Sequence, residues 1–397
     1  MNICFLTLTD YPEGAAMGRR VHLLARGMAE AGHEVRVLVG QRFAPGPTEA
    51  MIDGVRVKWA SPWRGGHAPS VSSKLGVRLR ACAEMQRIVA DDCDWLIVVF
   101  PEIDGLASIG IARAAGTRIA ITYEDARYLP ANPTWREQTL ALRGAIADRV
   151  LPRAADVVFP ISGCLYAELQ RVAPATRARV LPAVVDTKTF VQSEEQGRAF
   201  RERWHLGGEL VVGYLGTYWE VEGLRSLLDA TKAMVERKRR LKLLVCGRAH
   251  KGVRCDDVGI IANELGIGDV VVEAGWQDTA GILGAMSAAD VLVVPKKADR
   301  ANVAGFPTKL AEFLSMGKPV IASDVGDIGR YVRDGEEILL TRPGEVECLA
   351  HAIEEVLRTP DLARRLSTNG RAAAIREFDY RSVAARALTE MRADDLS

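Results

Sequence analysis

Short apolar runs alternate with helical patterns along this chain, and the alternation starts twice. The first series begins with the run Ile3–Leu8 and the helical pattern Arg19–Ala31, and the second begins at Leu210. Strands that are separated by helices pair in parallel through right-handed crossovers, which gives a doubly wound sheet. The segment Asp186–Gly208 between the series is charged and poor in apolar residues, so we place a domain linker there. The pattern predicts two α/β domains.

The same reading places the other strands. We expect them at 34–39, 55–59, 95–100, 118–123, 156–160 and 179–182 in the first series, and at 210–216, 241–247, 270–273, 290–295, 319–323 and 338–340 in the second. The stretch Pro360–Ser397 has a helical pattern and no strand. Ligands of such sheets bind beyond the carboxyl ends of the strands, where helix N-termini present N–H groups. The organisation favours a nucleotide or phosphate ligand, with some other cleft ligand as the alternative.

Composition excludes several classes of protein. Hydrophobic residues make up 48% and charged residues 26% of the 397 residues, which is typical of a folded globular protein. Because 52 basic residues balance 51 acidic ones, we expect no nucleic-acid partner. Apolar runs such as 95–100 are far shorter than the ~20 residues that span a bilayer, and no secretion signal is recognisable. Seven scattered cysteines without a C-x-x-C pair predict neither disulfides nor a zinc site, and they indicate a cytoplasmic location.

Four segments carry motifs in a fixed order. They are AGHEVRV at 31–37, VLPAVVDTKTF at 180–190, ADVLVVP at 289–295 and GFPTKLAEFLSMGKPVIA at 305–322. Together, over nearly the whole chain, they resemble the retaining glycosyltransferases of family 4. The resemblance implies the GT-B fold, in which two Rossmann-like doubly wound domains face a central cleft. It further implies an acceptor-binding domain at 1–190, a donor-binding domain at 191–375 and a C-terminal helix, 376–397, that returns to the N-terminal domain.

The fourth segment is the most specific. Gly305, Phe306 and Pro307 form a turn into a helix that begins near Thr308 and Lys309. The N–H groups of that helix N-terminus, with the Thr308 hydroxyl, are able to cradle a diphosphate, and Lys309 adds a positive charge there. One turn later Glu312 matches the glutamate that holds the nucleotide ribose in the family. The alternative is a capped, solvated helix with ordinary Lys and Glu side chains.

Two family motifs are incomplete. The family has E-x7-E, but Ala304 stands where the first glutamate belongs, so sugar recognition falls to backbone groups and to neighbours such as Asp299 or Asn302. The arginine and lysine of the family's GR…KG pattern fall on Thr217 and Glu222. Two diphosphate charges are therefore absent. Either Lys309, Lys296, Lys297 or Arg248 supplies the replacement, or the protein does not turn over.

Other donor-binding residues are expected at strand ends and in the first βα loop. The strand-end residues are Gly216, Thr217, Arg248, Gly275 and Trp276. By resemblance the Gly275 loop touches the nucleobase, where Trp276 would stack on the base or, alternatively, pack in the core. In the loop Gly14–Arg20, the small residues Gly14 and Gly18 allow a ligand to approach the backbone, and Arg19 and Arg20 could meet phosphate. A plain flexible loop is the alternative.

Two acidic residues, Glu124 and Asp125, follow the predicted strand 118–123. A carboxylate at this end of the sheet could orient or deprotonate an acceptor hydroxyl. We assign both, together with Lys309, as candidate catalytic residues. The alternative is a role in a turn or a helix cap.

A basic stretch with apolar residues follows. Its arginines are 136, 143, 149 and 153, and its apolar residues are Trp135, Leu140, Leu142 and Ile146. Two interpretations are open: a helix that rests on the inner surface of the membrane, or a solvated helix face.

The function that these motifs imply is sugar transfer from a nucleoside-diphosphate sugar to an acceptor hydroxyl or amine, with retention of configuration. The acceptor would be a glycan, a glycolipid or a small molecule, in polysaccharide, glycolipid or natural-product biosynthesis. We expect no cofactor and no metal, because helix N-termini and Lys309 would stabilise the leaving diphosphate. The alternatives are a GT-B sugar-nucleotide epimerase and a non-catalytic homologue that acts as a scaffold.

Overall fold

The computed structural model describes residues 1–12, 16–40, 45–61, 80–88, 92–99, 105–124, 135–249 and 255–393. They form two compact units. The N-terminal unit contains Met1–Val184 and Tyr380–Ser397, and the C-terminal unit contains Val185–Asp379. The chain thus passes between the units at Val184–Val185 and again at Asp379–Tyr380, whereas the sequence-based boundaries were placed after residues 190 and 375.

The N-terminal unit is built on a seven-stranded sheet with the order β3-β4-β2-β1-β5-β6-β7, in which only the β3–β4 pair is antiparallel. Its strands are β1 (Asn2–Thr7), β2 (Glu34–Val39), β3 (Glu49–Ile52), β4 (Val55–Trp59), β5 (Trp95–Val99), β6 (Arg118–Tyr123) and β7 (Val157–Pro160). Its helices are α1 (Ala16–Glu30), α2 (Gly105–Ala114), α3 (Trp135–Val150) and α4 (Gly163–Val172), followed at the end of the chain by a helix at Tyr380–Arg392. Residues 80–88 are also helical. The near-continuous apolar runs of β1 and β5 are buried because helices cover a parallel sheet on both faces.

Two details of this sheet differ from the prediction. The run 179–182 is not a strand, although Leu181 N–H donates to Pro160 O at 3.0 Å along the edge of β7. Pro182 lacks an N–H group and cannot continue that ladder. The hairpin β3–β4 was not predicted, although its turn, Asp53-Gly54, has φ of 46° and 79°, which is the geometry that an Asp-Gly pair favours.

The C-terminal unit contains a six-stranded, fully parallel sheet with the order β10-β9-β8-β11-β12-β13. Its strands are β8 (Leu210–Thr217), β9 (Leu241–Arg248), β10 (Val271–Gly275), β11 (Val291–Val294), β12 (Val320–Ser323) and β13 (Leu339–Thr341). Its helices are α5 (Glu194–Arg203), α6 (Leu224–Glu236), α7 (Val258–Glu264), α8 (Thr279–Ala288), α9 (Arg300–Ala304), α10 (Thr308–Ser315), α11 (Ile328–Tyr331), α12 (Val346–Arg358) and α13 (Pro360–Glu377). The order reverses between β8 and β11, and ligands of doubly wound sheets bind at such a point.

The C-terminal stretch is helical, as predicted, and divides into two helices. α13 belongs to the C-terminal unit, and α14 (Tyr380–Arg392) packs on α1 within the N-terminal unit. A Cβ on Gly27 of α1 would lie 2.7 Å from Cβ of Ala384, so the absence of a side chain permits the close approach. Tyr380 also donates a hydrogen bond to Glu30 at 2.8 Å. None of the helices in the described part of the chain is long and apolar enough to cross a bilayer.

Candidate active site

At the carboxyl ends of β8 and β9, the two backbones approach each other closely. Gly216 and Thr217 of β8 pair with Gly247 and Arg248 of β9. Gly247 has φ of 158°, and a Cβ on it would lie 1.7 Å from Gly216 O. Only glycine therefore fits at position 247. This contact brings the predicted donor residues Gly216, Thr217 and Arg248 to one edge of the sheet.

Trp276 lies beyond the end of β10, next to Gly275, whose φ is 66°. Its side chain is 62% exposed, so the alternative of a core tryptophan is wrong. The Arg248 guanidinium lies over the indole, 5.9 Å from the ring centroid. An exposed aromatic ring with a cation beside it is a suitable platform for a planar, electron-rich ligand.

The turn Gly305–Pro307 is anchored by its aromatic residue. Phe306 is buried and packs edge-to-face on Tyr331 at 5.4 Å and against Phe378 at 5.5 Å, between ring centroids. α10 begins directly after this turn, and Pro307 at its N-cap has no side-chain oxygen with which to cap it. A helix N-terminus carries a partial positive charge and N–H groups that lack intrahelical acceptors. The segment therefore has the turn-into-helix geometry that the sequence predicted, and this geometry suits a phosphate.

Thr308, Lys309 and Glu312 lie on the first turns of α10 and are half-buried. Burial raises the pKa of the Cys246 thiol in β9 to about 12, and the positive charge of Lys309 acts in the opposite direction. The positive charge of Lys309 thus acts on Cys246, which lies two positions before Arg248 in β9.

Two of the lysines that were candidates to replace the missing diphosphate charge are themselves paired with carboxylates. Glu222, at the position of the family's lysine, accepts a hydrogen bond from Lys296 at 2.7 Å. Glu220 pairs with Lys297 at 3.3 Å. The carboxylates thus lie on the turn after β8 and the cations on the turn after β11. Because each pair is close to neutral, Lys296 and Lys297 do not replace the missing net charge.

Asn302 connects these two turns. Its side chain is buried, accepts from Lys296 at 2.8 Å and donates to Val221 O, Lys297 O and an Asp299 carboxylate oxygen at 2.8–2.9 Å. Asp299 caps α9 by accepting from the Asn302 N–H at 3.0 Å. Asn302 therefore serves as a structural bridge.

Two small residues belong to the same region: Gly223 follows the turn after β8, and Ala304 is the last residue of α9. Gly223 has φ of 78°, and a Cβ on it would lie 1.8 Å from Pro295 O, so the two turns touch through backbone atoms. Ala304, which replaces the family's first glutamate, is fully buried at the end of α9. The site thus has no carboxylate at position 304.

In the N-terminal unit, Gly14 and Asp125 lie outside the described residues, so their assignments stay predictions. Gly18 lies in α1, and a Cβ on it would be 2.1 Å from Asp10 O, which shows that the loop after β1 folds closely over the helix. Arg19 is exposed. The start of α1 therefore presents one exposed arginine.

Glu124 and Arg20 form a buried ion pair that the sequence did not predict. Their side chains are 6% and 2% exposed, and Arg20 Nε lies 3.1 Å from Glu124 Oε1. Arg20 also donates to Leu181 O at 2.8 Å and to Pro182 O. Arg20 therefore binds protein carbonyls, and the Glu124 carboxylate neutralises it. The sequence contains only a weak signal for the burial of Arg20. The helical period places position 20 beside the buried positions 21, 24 and 28, and nothing else distinguishes Arg20 from Arg19.

A second polar group lies beside that helix. His22 Nδ1 is 2.8 Å from the hydroxyl of the buried Tyr11, and His22 Nε2 is 3.0 Å from an Asp53 carboxylate oxygen. His22 thus connects the loop after β1 to the β3–β4 hairpin. With both ring nitrogens in contact with protein groups, His22 has a structural role.

Comparisons with known proteins identify the family of both units. Two family models match, one described as "Glycosyl transferase 4-like domain" over residues 15–183 and one described as "Glycosyl transferases group 1" over residues 209–359. They fall on the two units described above.

Individual relatives are distant. The chain is 24% identical to an alpha-D-kanosaminyltransferase of Streptomyces kanamyceticus, over 65% of this chain and 66% of the relative, so that match covers just under two thirds of the relative's length. It is 25% identical to an MMP alpha-(1->4)-mannosyltransferase of Mycolicibacterium hassiacum, over 97% of this chain and 96% of the relative. Among solved structures, Anabaena HepE in complex with UDP and glucose matches with a TM-score of 0.74 and 18% identity, over 99% of this chain and 100% of that one. The chain belongs to the family 4-like glycosyltransferases of the GT-B fold.

Proposed function

We propose that this protein transfers a sugar from a nucleoside-diphosphate sugar to an acceptor hydroxyl or amine, with retention of anomeric configuration. The observation that carries the proposal is the N-terminus of α10, which has Pro307 at its N-cap and Lys309 in its first turn. A diphosphate placed there meets backbone N–H groups, the helix dipole and a lysine. These groups stabilise the charge that grows on the leaving diphosphate, and such electrostatic stabilisation usually lowers the barrier more than any other catalytic effect. No metal is required in this scheme.

The remaining donor contacts follow from the positions of the side chains. Glu312, one turn beyond Thr308, would accept hydrogen bonds from the ribose hydroxyls. Trp276 and Arg248 would hold the base between the ends of β9 and β10. The complex of HepE with UDP and glucose supports UDP as the first nucleotide to test.

On the acceptor side, we propose that Asp125 orients or deprotonates the acceptor and that Glu124 acts through Arg20. The buried ion pair leaves Glu124 with a partner at 3.1 Å, so its function is to position the start of α1 and the segment at Leu181. Two relatives are named for an inositol-containing acceptor, a phosphatidyl-myo-inositol mannosyltransferase and a D-inositol 3-phosphate glycosyltransferase, and these names support a glycolipid or a small molecule as the acceptor class.

We further propose a cytoplasmic protein whose helix α3 rests on the inner membrane surface. This helix exposes apolar side chains on its outer face. Ala147 is buried on the inner face, while the outer face exposes Trp135, Leu142, Ile146 and Val150. These four positions fall within one stripe at the helical period, and the exposed Arg149 and Arg153 lie beside it. Apolar residues flanked by arginines suit an anionic lipid surface. The side chains of Arg136, Leu140 and Arg143 lie outside the described part of the structure.

Flotation with vesicles that contain phosphatidylglycerol tests the membrane contact. Leu142→Glu should reduce the bound fraction, because a carboxylate enters the apolar stripe and repels anionic lipid. Met51→Glu is the matched control, since Met51 and Leu142 are both 64% exposed but Met51 lies on β3. Equal loss in both variants, or no binding by the wild type, contradicts the proposal.

Donor binding is tested by titration calorimetry with UDP, GDP and ADP and with their sugars. Glu312→Ala should weaken binding of the preferred nucleotide by about ten- to hundredfold, because a hydrogen bond to a charged acceptor contributes ~1.5–3 kcal/mol. Glu236→Ala is the control, since Glu236 is an exposed residue of α6 that pairs with Lys232 in the same helix. Unchanged affinity in Glu312→Ala would show that the ribose binds elsewhere.

One observation favours a second candidate function, a non-catalytic scaffold. The Glu222–Lys296 and Glu220–Lys297 pairs leave the turn after β8 without net positive charge. Slow hydrolysis of the donor sugar in the absence of acceptor supports a transferase, whereas binding without turnover supports the scaffold. Release of an epimerised nucleotide sugar would identify the third alternative.

A further inference from the structure

The C-terminal unit contains a second concavity, between α5 and α8. Its volume is about 520 Å³, within the range of ~300–1,000 Å³ that is usual for small-molecule sites. Its wall contains Gln196, Phe200 and Arg203 from α5, and Trp276, Gln277 and Asp278 from the turn before α8. Among the described residues that line it, none belongs to the turn Gly305–Lys309 or to the end of β8. This pocket is therefore separate from the phosphate-binding turn and shares only Trp276 with the predicted base site.

The shape of the pocket is fixed by the crossing of the two helices. A Cβ on Gly197 of α5 would lie 3.0 Å from the Ser287 carbonyl, and a Cβ on Gly284 of α8 would lie 3.2 Å from the Phe200 ring. Arg201 ties the end of α5 to Ala288 O and to Asp290, each at 2.9 Å. Because the two walls are held by glycine contacts and by this arginine, the pocket is formed without a ligand.

The lining combines one aromatic platform with planar polar groups. Trp276 is 62% exposed, and its indole offers a large flat apolar area. Arg203 and Gln196 are exposed on the surrounding wall and supply donors and acceptors. Asp278 is also exposed, and one of its carboxylate oxygens accepts from the Gly281 N–H at 2.8 Å, so its other oxygen would face a ligand. Gln277 is fixed by a hydrogen bond from its amide to Ala274 O at 2.6 Å.

This chemistry matches a sugar ring. A pyranose has an apolar C–H face, which stacks on an aromatic ring, and neighbouring hydroxyls, which pair with the two-pronged groups of Arg, Gln and Asp side chains. We propose that the pocket between α5 and α8 binds one sugar unit of a glycan, separately from the donor. The inference goes beyond the proposed transfer reaction, because it concerns a sugar that need not react.

The position of Trp276 gives the pocket a link to the donor edge. The Arg248 guanidinium at the end of β9 lies over the indole of Trp276, and the same indole lines the pocket. A sugar on the indole would therefore lie next to the edge where the nucleotide is expected. An enzyme that elongates a glycan could in this way hold one unit of the chain while another reacts.

The test is saturation-transfer NMR on the full chain without nucleotide. The probes are methyl α-glucoside, methyl α-mannoside and glucosamine. We expect saturation transfer to at least one of them, and Arg203→Ala should weaken its binding by about tenfold, the loss of one hydrogen bond to a charged group. Arg198→Ala is the matched control, because Arg198 is exposed on the same helix but does not line the pocket.

Calorimetry with UDP separates this proposal from the proposed function. In Arg203→Ala the affinity for UDP should stay within about twofold of wild type, since Arg203 does not contact the donor edge. Failure of UDP to bind any variant would sink the donor assignment and leave the sugar result intact. The sugar site is overturned if none of the three probes shows saturation transfer, or if Arg198→Ala and Arg203→Ala lose binding equally.

Discussion

Replacement of Glu124 by alanine distinguishes a structural from a catalytic role for this carboxylate. Glu124 follows β6, where a residue that activates the acceptor was predicted, but it forms a buried ion pair with Arg20. Arg20 in turn binds the carbonyls of Leu181 and Pro182. We expect Glu124→Ala to destabilise the N-terminal unit, because it leaves a buried guanidinium without its counter-ion.

The magnitude follows from the geometry. At the 3.1 Å separation of the pair, Coulomb's law with an effective dielectric constant of about 20 gives an attraction of about 5 kcal/mol. Part of that attraction offsets the cost of removing both charges from water. Loss of one partner of a buried pair typically costs ~3–5 kcal/mol, since the other charge stays buried. We therefore expect a loss of ~3–5 kcal/mol in the free energy of unfolding of this unit.

Urea unfolding followed by hydrogen exchange in β6 measures this change in the relevant unit. With a denaturant slope of ~1–3 kcal/mol/M, the midpoint should fall by at least about 1 M. Arg87→Ala is the control, because Arg87 is 73% exposed in its pair with Glu84. Removal of that surface pair should change the free energy of unfolding by less than about 1 kcal/mol.

A double variant tests whether the lost stability comes from the unpaired buried charge. Arg20→Met combined with Glu124→Leu removes both charges and should recover most of the lost stability, because no buried charge is left unpaired. The structural account is refuted if Glu124→Ala unfolds at the wild-type urea concentration. If that variant in addition loses turnover, Glu124 is catalytic after all.

Three further predictions concern the C-terminal unit. Lys309→Ala should lower kcat more than donor affinity, because its charge meets the negative charge that develops on the diphosphate, and steady-state kinetics with a normal kcat would contradict this. Gly223→Ala should weaken UDP binding measured by calorimetry, because the new Cβ would lie 1.8 Å from a carbonyl oxygen of the facing turn. Gly335→Ala is the control: Gly335 has φ of 71° and nothing within 4 Å of a new Cβ, so this variant should add only backbone strain. Burial would raise the pKa of Glu337, but hydrogen bonds from the Arg333 backbone and guanidinium and the charge of Arg376 outweigh it and hold that pKa below its usual value. Glu337 therefore stabilises the fold above its unfolded pKa of ~4.3 and loses this contribution as the pH falls through the folded pKa, so acid unfolding should be less steep in Glu337→Gln.

The sequence alone predicts the two sheets and the turn into α10 well. Strands such as 55–59 and 118–123 have the predicted bounds, because continuous or alternating apolar runs depend only on local side-chain chemistry. The turn before α10 was also identified correctly, since Gly305, Phe306 and Pro307 combine a flexible, an aromatic and a helix-starting residue in one short segment.

Tertiary structure decides which charged residues are available for chemistry. Arg20 and Glu124 are 104 positions apart in the chain, and their burial together depends on the neighbouring positions of β6 and α1. In the same way, Lys296 and Lys297 were equal candidates for the diphosphate charge until the fold placed Glu222 and Glu220 beside them. The sequence gives the type of each residue, but packing between distant segments determines which residue neutralises its charge. The sequence therefore predicts where a phosphate would bind, and only the folded chain determines which of the candidate cations are neutralised by a carboxylate.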